Sequence, residues 1–141
     1  MQNAINETKK CKKDVPIGCV IKCGNEIIAS AHNMREELND VTAHAEILAI
    51  KIAQEKLGTS RLNNCEMYVT LEPCPMCGWA IIQSGINALY FGAYNPQYGS
   101  MESNPNLQLP KIAHSKIKIF GGIMEEECQK ILDDFFRGIR K

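Results

Sequence analysis

A stretch near the middle of the chain, residues 67–91, constrains the fold more than any other. Residues 67–71 form a short β-rich run, residues 75–84 have the composition of a helix opened by proline, and residues 88–91 form a second β-rich run. Gly85 follows the helical segment directly, at a position where glycine commonly ends a helix. A strand, a helix and a strand in this order predict a crossover between two parallel strands, and hence an α/β fold.

The residues before this crossover predict an antiparallel extension of the sheet. Residues 17–22 and 26–31 have strand composition, and residues 23–25 form a connection of the length that suits a hairpin. A helix is predicted from an N-cap at Thr42 to a stop at Gly58. Its apolar residues occur on more than one side, so we expect it to be mostly buried.

The residues after the crossover contain one long connection and two further elements. Residues 95–110 include three prolines and many polar side chains, which indicate a long surface loop of the kind that is often functional. Residues 117–120 have strand composition. A final helix is expected after Glu125, because apolar residues then recur on one face: Cys128, Ile131, Leu132, Phe135 and Ile139.

Composition limits the class of protein. A chain of 141 residues with 45% apolar content fits one domain covering residues 1–141. Basic and acidic residues balance at 16 each, so a nucleic acid would be contacted through local patches rather than a strongly basic surface. The first 14 residues lack the apolar core of a signal peptide, and no run approaches the roughly 20 apolar residues of a membrane span. We therefore expect a soluble, cytoplasmic protein with no membrane partner.

Three side chains have the types and the spacing of a catalytic zinc site. The chain has seven cysteines, an odd number that suits reduced thiols and a metal site better than a disulfide framework. Cys74 and Cys77 are three positions apart at a predicted helix start, where both sulfurs can face one point, and His44 supplies a nitrogen. Three protein ligands leave a fourth position open for water, as catalytic zinc requires.

Glu46 is the candidate proton carrier of this site. It lies two residues after His44, and the two side chains can converge only if one of them precedes the first helical turn. Zinc lowers the pKa of a bound water to about 7, and a carboxylate that is not a ligand can take the resulting proton and return it to a leaving amine. The pattern thus predicts a zinc-bound hydroxide, with Glu46 shuttling protons during hydrolytic loss of ammonia.

Two other interpretations of the cysteines remain. A structural zinc site would need a fourth ligand, for which Cys65 or another thiol is available, although no second cysteine pair has ribbon spacing. The Cys-x-x-Cys segment would also fit a redox pair, but the histidine and glutamate at residues 44 and 46 would then have no role.

The segments HAE at residues 44–46 and PCPMC at residues 73–77 resemble the signature of the zinc-dependent cytidine/deoxycytidylate deaminase superfamily. Further segments are similar to its bacterial tRNA adenosine deaminase branch: residues 15–18, 32–33, 42–47, 69–74, 80–82, 91–93, 127–128 and 134–137. The resemblance covers nearly the whole chain. It implies a three-layer α/β/α sandwich with a five-stranded mixed sheet, a homodimer with one Zn²⁺ per subunit, and conversion of the wobble adenosine of a tRNA anticodon to inosine.

The resemblance also implies roles for individual residues in substrate binding. Asn33 would hydrogen-bond the flipped base, Ile17 and Leu71 would line its pocket, and Ala45 would contribute backbone contacts near the metal. Bases in RNA loops can be splayed out and recognised on their edges, which suits such a pocket. The anticodon stem-loop would be held near the C-terminus by three residues: Phe136, Arg137 and Arg140.

The chain departs from the usual pattern of this branch at three positions after residue 93. Tyr94, Asn95 and Gln97 stand where an arginine or similar residue, an aspartate and a lysine are common. Asn95, Gln97 and the zero net charge favour an alternative substrate, a free nucleobase or nucleoside such as guanine or cytosine. A zinc-stabilised binding protein without turnover is the third possibility, and Glu46 argues against it.

Overall fold

The computed structural model describes residues 1–139, in which helices alternate with the strands of a single sheet. In chain order the elements are α1 (Gln2–Thr8), β1 (Gly18–Cys23), β2 (Glu26–His32), α2 (Ala45–Leu57), β3 (Cys65–Leu71), α3 (Pro75–Ser84), β4 (Ala88–Ala93), α4 (Leu109–Ile112), β5 (Lys118–Phe120) and α5 (Glu125–Ile139).

The sheet is mixed, with the strand order β2-β1-β3-β4-β5. Strand β1 pairs antiparallel with β2 and with β3, whereas β3, β4 and β5 run parallel to one another. The β1–β2 hairpin and the β3–α3–β4 crossover are therefore both confirmed. Leu71 and Ala93 are paired where β3 and β4 end. This carboxyl edge of the parallel strands is where α/β folds usually carry their ligand sites.

The two faces of the sheet pack against different helices. Cys19, Met67 and Phe91 belong to a core cluster shared with α2 and α3. Gly92 follows Phe91, so it points to the opposite face, and a Cβ built there would lie 2.3 Å from Cys128 Sγ of α5. Helices α1 and α5 supply the apolar cluster on that second face. This arrangement confirms the three-layer α/β/α sandwich with a five-stranded mixed sheet.

Local signals explain where the two central helices end. Gly58 and Gly85 both cap their helices in the left-handed region, with φ of 66° and 80°, as the sequence predicted. The predicted N-cap of α2 was wrong: His44, not Thr42, is the cap residue. The Thr42 backbone N–H and hydroxyl instead both donate to Asp40 Oδ1, at 2.8 and 2.7 Å, so Thr42 belongs to a local turn before the helix.

The connection between β4 and α4 is only partly the surface loop that its composition suggested. Ser100 and Met101 are 0% and 4% exposed, and the segment ends in the short helix α4, which the sequence did not predict. Polar residues normally indicate exposed backbone, but here the buried hydrogen-bonding groups find partners inside the protein. This segment therefore packs as part of the body of the fold.

The last helix begins and runs as expected, with Glu125 in its first turn and Arg137 in its last described turn. Among residues 1–139, no helix combines the length and the apolar character that crossing a membrane would require.

Candidate active site

His44, Cys74 and Cys77 converge beyond the carboxyl end of β3. The Nδ1 atom of His44 lies 3.7 Å from Cys74 Sγ and 3.5 Å from Cys77 Sγ. Within residues 1–139 these three are the only cluster of histidine, cysteine and acidic donor atoms, all within 4.8 Å of one another. One nitrogen and two sulfurs suit zinc, and three protein ligands leave a coordination position open.

Helix starts place these three donors. His44 is the N-cap of α2, in extended conformation with ψ of 154°, so its side chain is not fixed by the helical spiral. Cys74 is the N-cap of α3 with ψ of 172°, Pro75 is the first helical residue, and Cys77 lies in the first turn. Because His44 and Cys74 both precede the first helical turn, their side chains can turn toward Cys77, as convergence of the three requires.

The alternative fourth ligand, Cys65, lies at the opposite end of β3 from this cluster. It is the first residue of β3 and pairs with Cys23, whereas Cys74 lies beyond the other end of the same strand. Cys65 is therefore not part of the donor cluster, and among residues 1–139 no fourth protein donor joins the three.

The surroundings of Cys74 favour the thiolate form of its side chain. The pKa of this thiol is lowered to about 4, because hydrogen bonds from the Cys77 thiol, from His44 and from the Cys77 backbone N–H stabilise the thiolate and outweigh burial. The hydrogen bond to Cys74 also raises the pKa of His44. A thiolate is the form in which cysteine binds a metal, so the protein itself favours the ligand state.

Glu46 lies beside the cluster without belonging to it. Its side chain is almost completely buried, with 4% of the residue exposed. Burial raises the pKa of this carboxyl to about 7, because a charge is poorly solvated there, and the nearby Cys74 thiolate acts in the same direction. A carboxyl with a pKa near neutrality can both accept and donate a proton at physiological pH.

A cavity of about 690 Å³ opens onto these groups. His44, Glu46 and Cys74 line one part of it, and Ile17, Asn33 and Leu71 line another. The structure therefore brings together, around one cavity, most of the residues that the sequence and the resemblance proposed. Its volume lies within the range of small-molecule and nucleotide sites.

Asn33 is held in a fixed orientation at this cavity. Its Nδ2 donates to the Val15 carbonyl at 3.1 Å, and its Oδ1 accepts from the Arg35 backbone N–H at 3.4 Å. One amide hydrogen and one oxygen lone pair remain for a ligand. Ala45 is different: it is 0% exposed as the first residue of α2, and it does not line the cavity.

The three C-terminal residues proposed to bind RNA have different surroundings. Phe136 lines the cavity and is 44% exposed. Arg137 lies on the surface and forms an ion pair with Asp134. Arg140 lies outside the described residues.

Sequence reasoning missed several residues that complete the cavity. Tyr98 lines it from the connection after β4, and Glu125, Gln129 and Leu132 line it from α5. The three α5 residues reach the cavity because α5 packs on the second face of the sheet, and no local sequence motif predicts that packing. Glu72, 1% exposed, also lines the cavity. The segment PCPMC directly follows it, but the sequence alone did not assign it a role.

Comparison with known proteins identifies the class. The family model of the MafB19-like deaminases matches residues 1–140. The sandwich, the three convergent donors and the buried Glu46 together define a deaminase. The chain belongs to the MafB19-like deaminase family.

Individual relatives narrow the likeness further. The chain is 44% identical over 143 residues to the tRNA-specific adenosine deaminase of Bacillus subtilis, covering 100% of this chain and 89% of that protein. A solved structure from a study of A-to-I editing by tRNA:A34 deaminases superposes with a TM-score of 0.88 and 41% identity, covering 94% and 97% of the two chains. The guanine deaminase of Bacillus subtilis superposes with a TM-score of 0.64 and 35% identity, covering 66% and 61%.

Proposed function

We propose that this protein hydrolytically deaminates the wobble adenosine of a tRNA anticodon, producing inosine and ammonia. The observation that carries the proposal is the TM-score of 0.88 with a tRNA:A34 deaminase structure over 94% of the chain. The cavity beside Glu46 supports it, because a base must leave its stack and enter a pocket before a group on its ring can be replaced.

His44, Cys74 and Cys77 would hold one zinc ion per subunit. The cluster of one nitrogen and two sulfurs within 4.8 Å fits this ion, and the lowered pKa of Cys74 supplies an anionic ligand. Zinc, when bound, supplies a water acidic enough to act as a nucleophile near pH 7.

Glu46 would move the protons of the reaction. Its carboxylate accepts the proton of the attacking water and then delivers a proton to the departing amino group, so that ammonia rather than an amide ion leaves. Burial supports both steps, since it brings the pKa of Glu46 to about 7. The base loses its exocyclic amine and gains a carbonyl oxygen, which converts adenosine to inosine.

Asn33 is proposed to bind the edge of the base, with Ile17 and Leu71 against its ring. All three line the cavity. Ala45 is proposed to act through its backbone near the metal, since its buried side chain leaves only that role.

We expect Asn33→Ala to raise KM for the RNA substrate about tenfold, because one hydrogen bond to a bound base is lost, and turnover to change less. Steady-state kinetics over a range of stem-loop concentrations measures both. Asn87→Ala serves as the matched control, since Asn87 is exposed and does not line the cavity. An unchanged KM in Asn33→Ala would remove Asn33 from the substrate site.

The anticodon stem-loop is proposed to contact Phe136, Arg137 and Arg140. Phe136 lies on α5, lines the cavity and has a half-exposed ring on which a base could stack. The exposed ion pair of Arg137 with Asp134 contributes little stability, so the arginine can exchange its partner for a phosphate. The protein is further proposed to act as a homodimer, with Trp79, 45% exposed on α3, available at the interface.

The deciding experiment compares substrates directly. The purified protein is incubated with an anticodon stem-loop that carries a wobble adenosine and, separately, with adenosine, guanine and cytosine, and released ammonia and inosine are measured. We expect product from the stem-loop, and none from the same stem-loop with guanosine at the wobble position. Product from a free base and none from RNA would contradict the proposal.

A free nucleobase or nucleoside is the second candidate substrate. Two observations favour it: the likeness at 35% identity to a guanine deaminase, and the uncharged residues Asn95 and Gln97 in the cavity wall. Weak electrostatic attraction to RNA would follow from these residues and from the zero net charge of the chain.

A further inference from the structure

The connection that follows β4 folds around one buried carboxylate. Glu72 comes directly after β3 and is 1% exposed. Its Oε1 accepts from the backbone N–H of Asn95 at 3.1 Å. Its Oε2 accepts from three consecutive backbone N–H groups: Met101 at 3.1 Å, Glu102 at 2.7 Å and Ser103 at 3.0 Å. The Ser103 hydroxyl also donates to Oε1.

These donors balance the charge of Glu72 without a basic side chain. Among residues 1–139, no lysine, arginine or histidine forms an ion pair with it. Burial alone would raise the pKa of Glu72, but the hydrogen bonds from residues 95, 102 and 103 outweigh burial and lower it. The carboxylate is therefore stabilised as an anion by the loop itself, and the loop amides are satisfied only while it is there.

The same loop is attached to the segment that carries a proposed metal ligand. Ser100 donates its backbone N–H to the Pro73 carbonyl at 3.0 Å, and its hydroxyl contacts the carbonyls of Pro73 and Cys74 at 2.9 and 3.1 Å. The backbone at residue 99 passes so close to the Glu72 carboxylate that only glycine fits: a Cβ there would lie 2.5 Å from it. No side chain fits between the loop and the carboxylate.

The residues enclosed by these hydrogen bonds belong to the cavity. Asn95, Pro96, Gln97 and Tyr98 all line it. Glu72 holds the first residue of this group, Asn95, and the chain shortly after the group, at residues 101–103. We propose that Glu72 is a positioning residue that sets substrate affinity, by closing residues 95–103 into a loop and holding residues 95–98 in the cavity wall. The inference rests on the proposed function only for the identity of the substrate.

The expected consequence is a change in binding rather than in chemistry. Without the carboxylate, residues 95–98 sample many conformations, and the substrate must order them when it binds. Glu46 and the three donors should stay in place, because His44 contacts both cysteine sulfurs and the bonds from Ser100 to the Pro73 and Cys74 carbonyls do not involve Glu72. KM should therefore rise while turnover at saturation changes little.

The test uses Glu72→Gln and the milder Ser103→Ala. Glutamine keeps the shape but turns an amide group toward N–H donors, whereas Ser103→Ala removes only the hydroxyl donor. We expect KM to rise about tenfold in Glu72→Gln and about threefold in Ser103→Ala, with kcat within about threefold of wild type, as loss of charged and neutral hydrogen bonds predicts. Hydrogen exchange of the amides at residues 95 and 101–103 should accelerate about tenfold or more in Glu72→Gln, while bound zinc per chain stays unchanged.

Glu66→Gln is the matched control, since Glu66 lies on β3, the strand that Glu72 follows, but contacts Tyr68 and not the loop, and it should alter none of these values. If Glu72→Gln does not fold, Ser103→Ala decides alone. A fall in kcat with unchanged KM, a loss of zinc, or unchanged exchange at the four amides would overturn the proposal. The exchange measurement needs no substrate, so failure of the wild-type protein on RNA would reject the proposed function without deciding the role of Glu72. Affinity would then be measured with the free base that reacts.

Discussion

Glu46→Gln is expected to lower turnover by about 100-fold or more, the range that general acid–base catalysis typically contributes. Glutamine has nearly the same shape as the buried glutamate, which is 4% exposed, so the surrounding packing should persist. The amide cannot accept a proton from water and return it to the leaving group. Zinc content per chain should stay at the wild-type value, because Glu46 is not one of the three clustered donors.

The control for this variant is Glu55→Gln, which makes the same chemical change at an exposed position of the same helix. Turnover is measured as ammonia released at saturating substrate, and metal content by atomic emission on the same samples. If Glu46→Gln retained wild-type turnover, another group would have to carry the protons. Loss of metal in this variant alone would instead make Glu46 a ligand.

Features set by local chemistry were predictable from the sequence. Helix α3 begins at Pro75 and ends before Gly85 as predicted, because proline suits the first helical position and glycine suits the left-handed cap. The convergence of His44, Cys74 and Cys77 was also predictable, since few residue types bind zinc and the spacing of these residues relative to helix starts restricts how they can meet. The strand–helix–strand order implied that β3 and β4 are parallel, because a helical crossover usually connects parallel strands.

Features that depend on contacts between distant residues were not predictable. Glu72 receives its hydrogen bonds from donors 23 to 31 positions later in the chain, and no periodicity or turn motif connects them. For this reason residues 95–110 look like an exposed loop in the sequence although Ser100 is fully buried. The part of the cavity formed by α5 was missed likewise, because a helix pattern shows which face is apolar but not which cavity the helix borders.

Cys77→Ser is expected to abolish zinc binding after dialysis and to lower turnover to the background of the assay. Cys77 is completely buried beside His44 Nδ1, at 3.5 Å, and a serine hydroxyl there remains protonated and is a poor zinc ligand. With two donors left, the site lacks the three protein ligands of catalytic zinc sites. Metal content and ammonia release, measured on the same preparation, check both expectations.

The metal should also stabilise the fold, which gives a second measurement on the same variant. A ligand present at about 100 times its dissociation constant stabilises the folded state by about 2.7 kcal/mol. A chelator should therefore lower the unfolding temperature of the wild-type protein and leave that of Cys77→Ser unchanged. Cys23→Ser is the matched control, because Cys23 lies on β1 opposite Cys65, outside the donor cluster, and should respond to the chelator as wild type does. Stoichiometric zinc in Cys77→Ser would contradict the assigned ligands, since the two remaining donors would then be sufficient without the sulfur that completes the cluster.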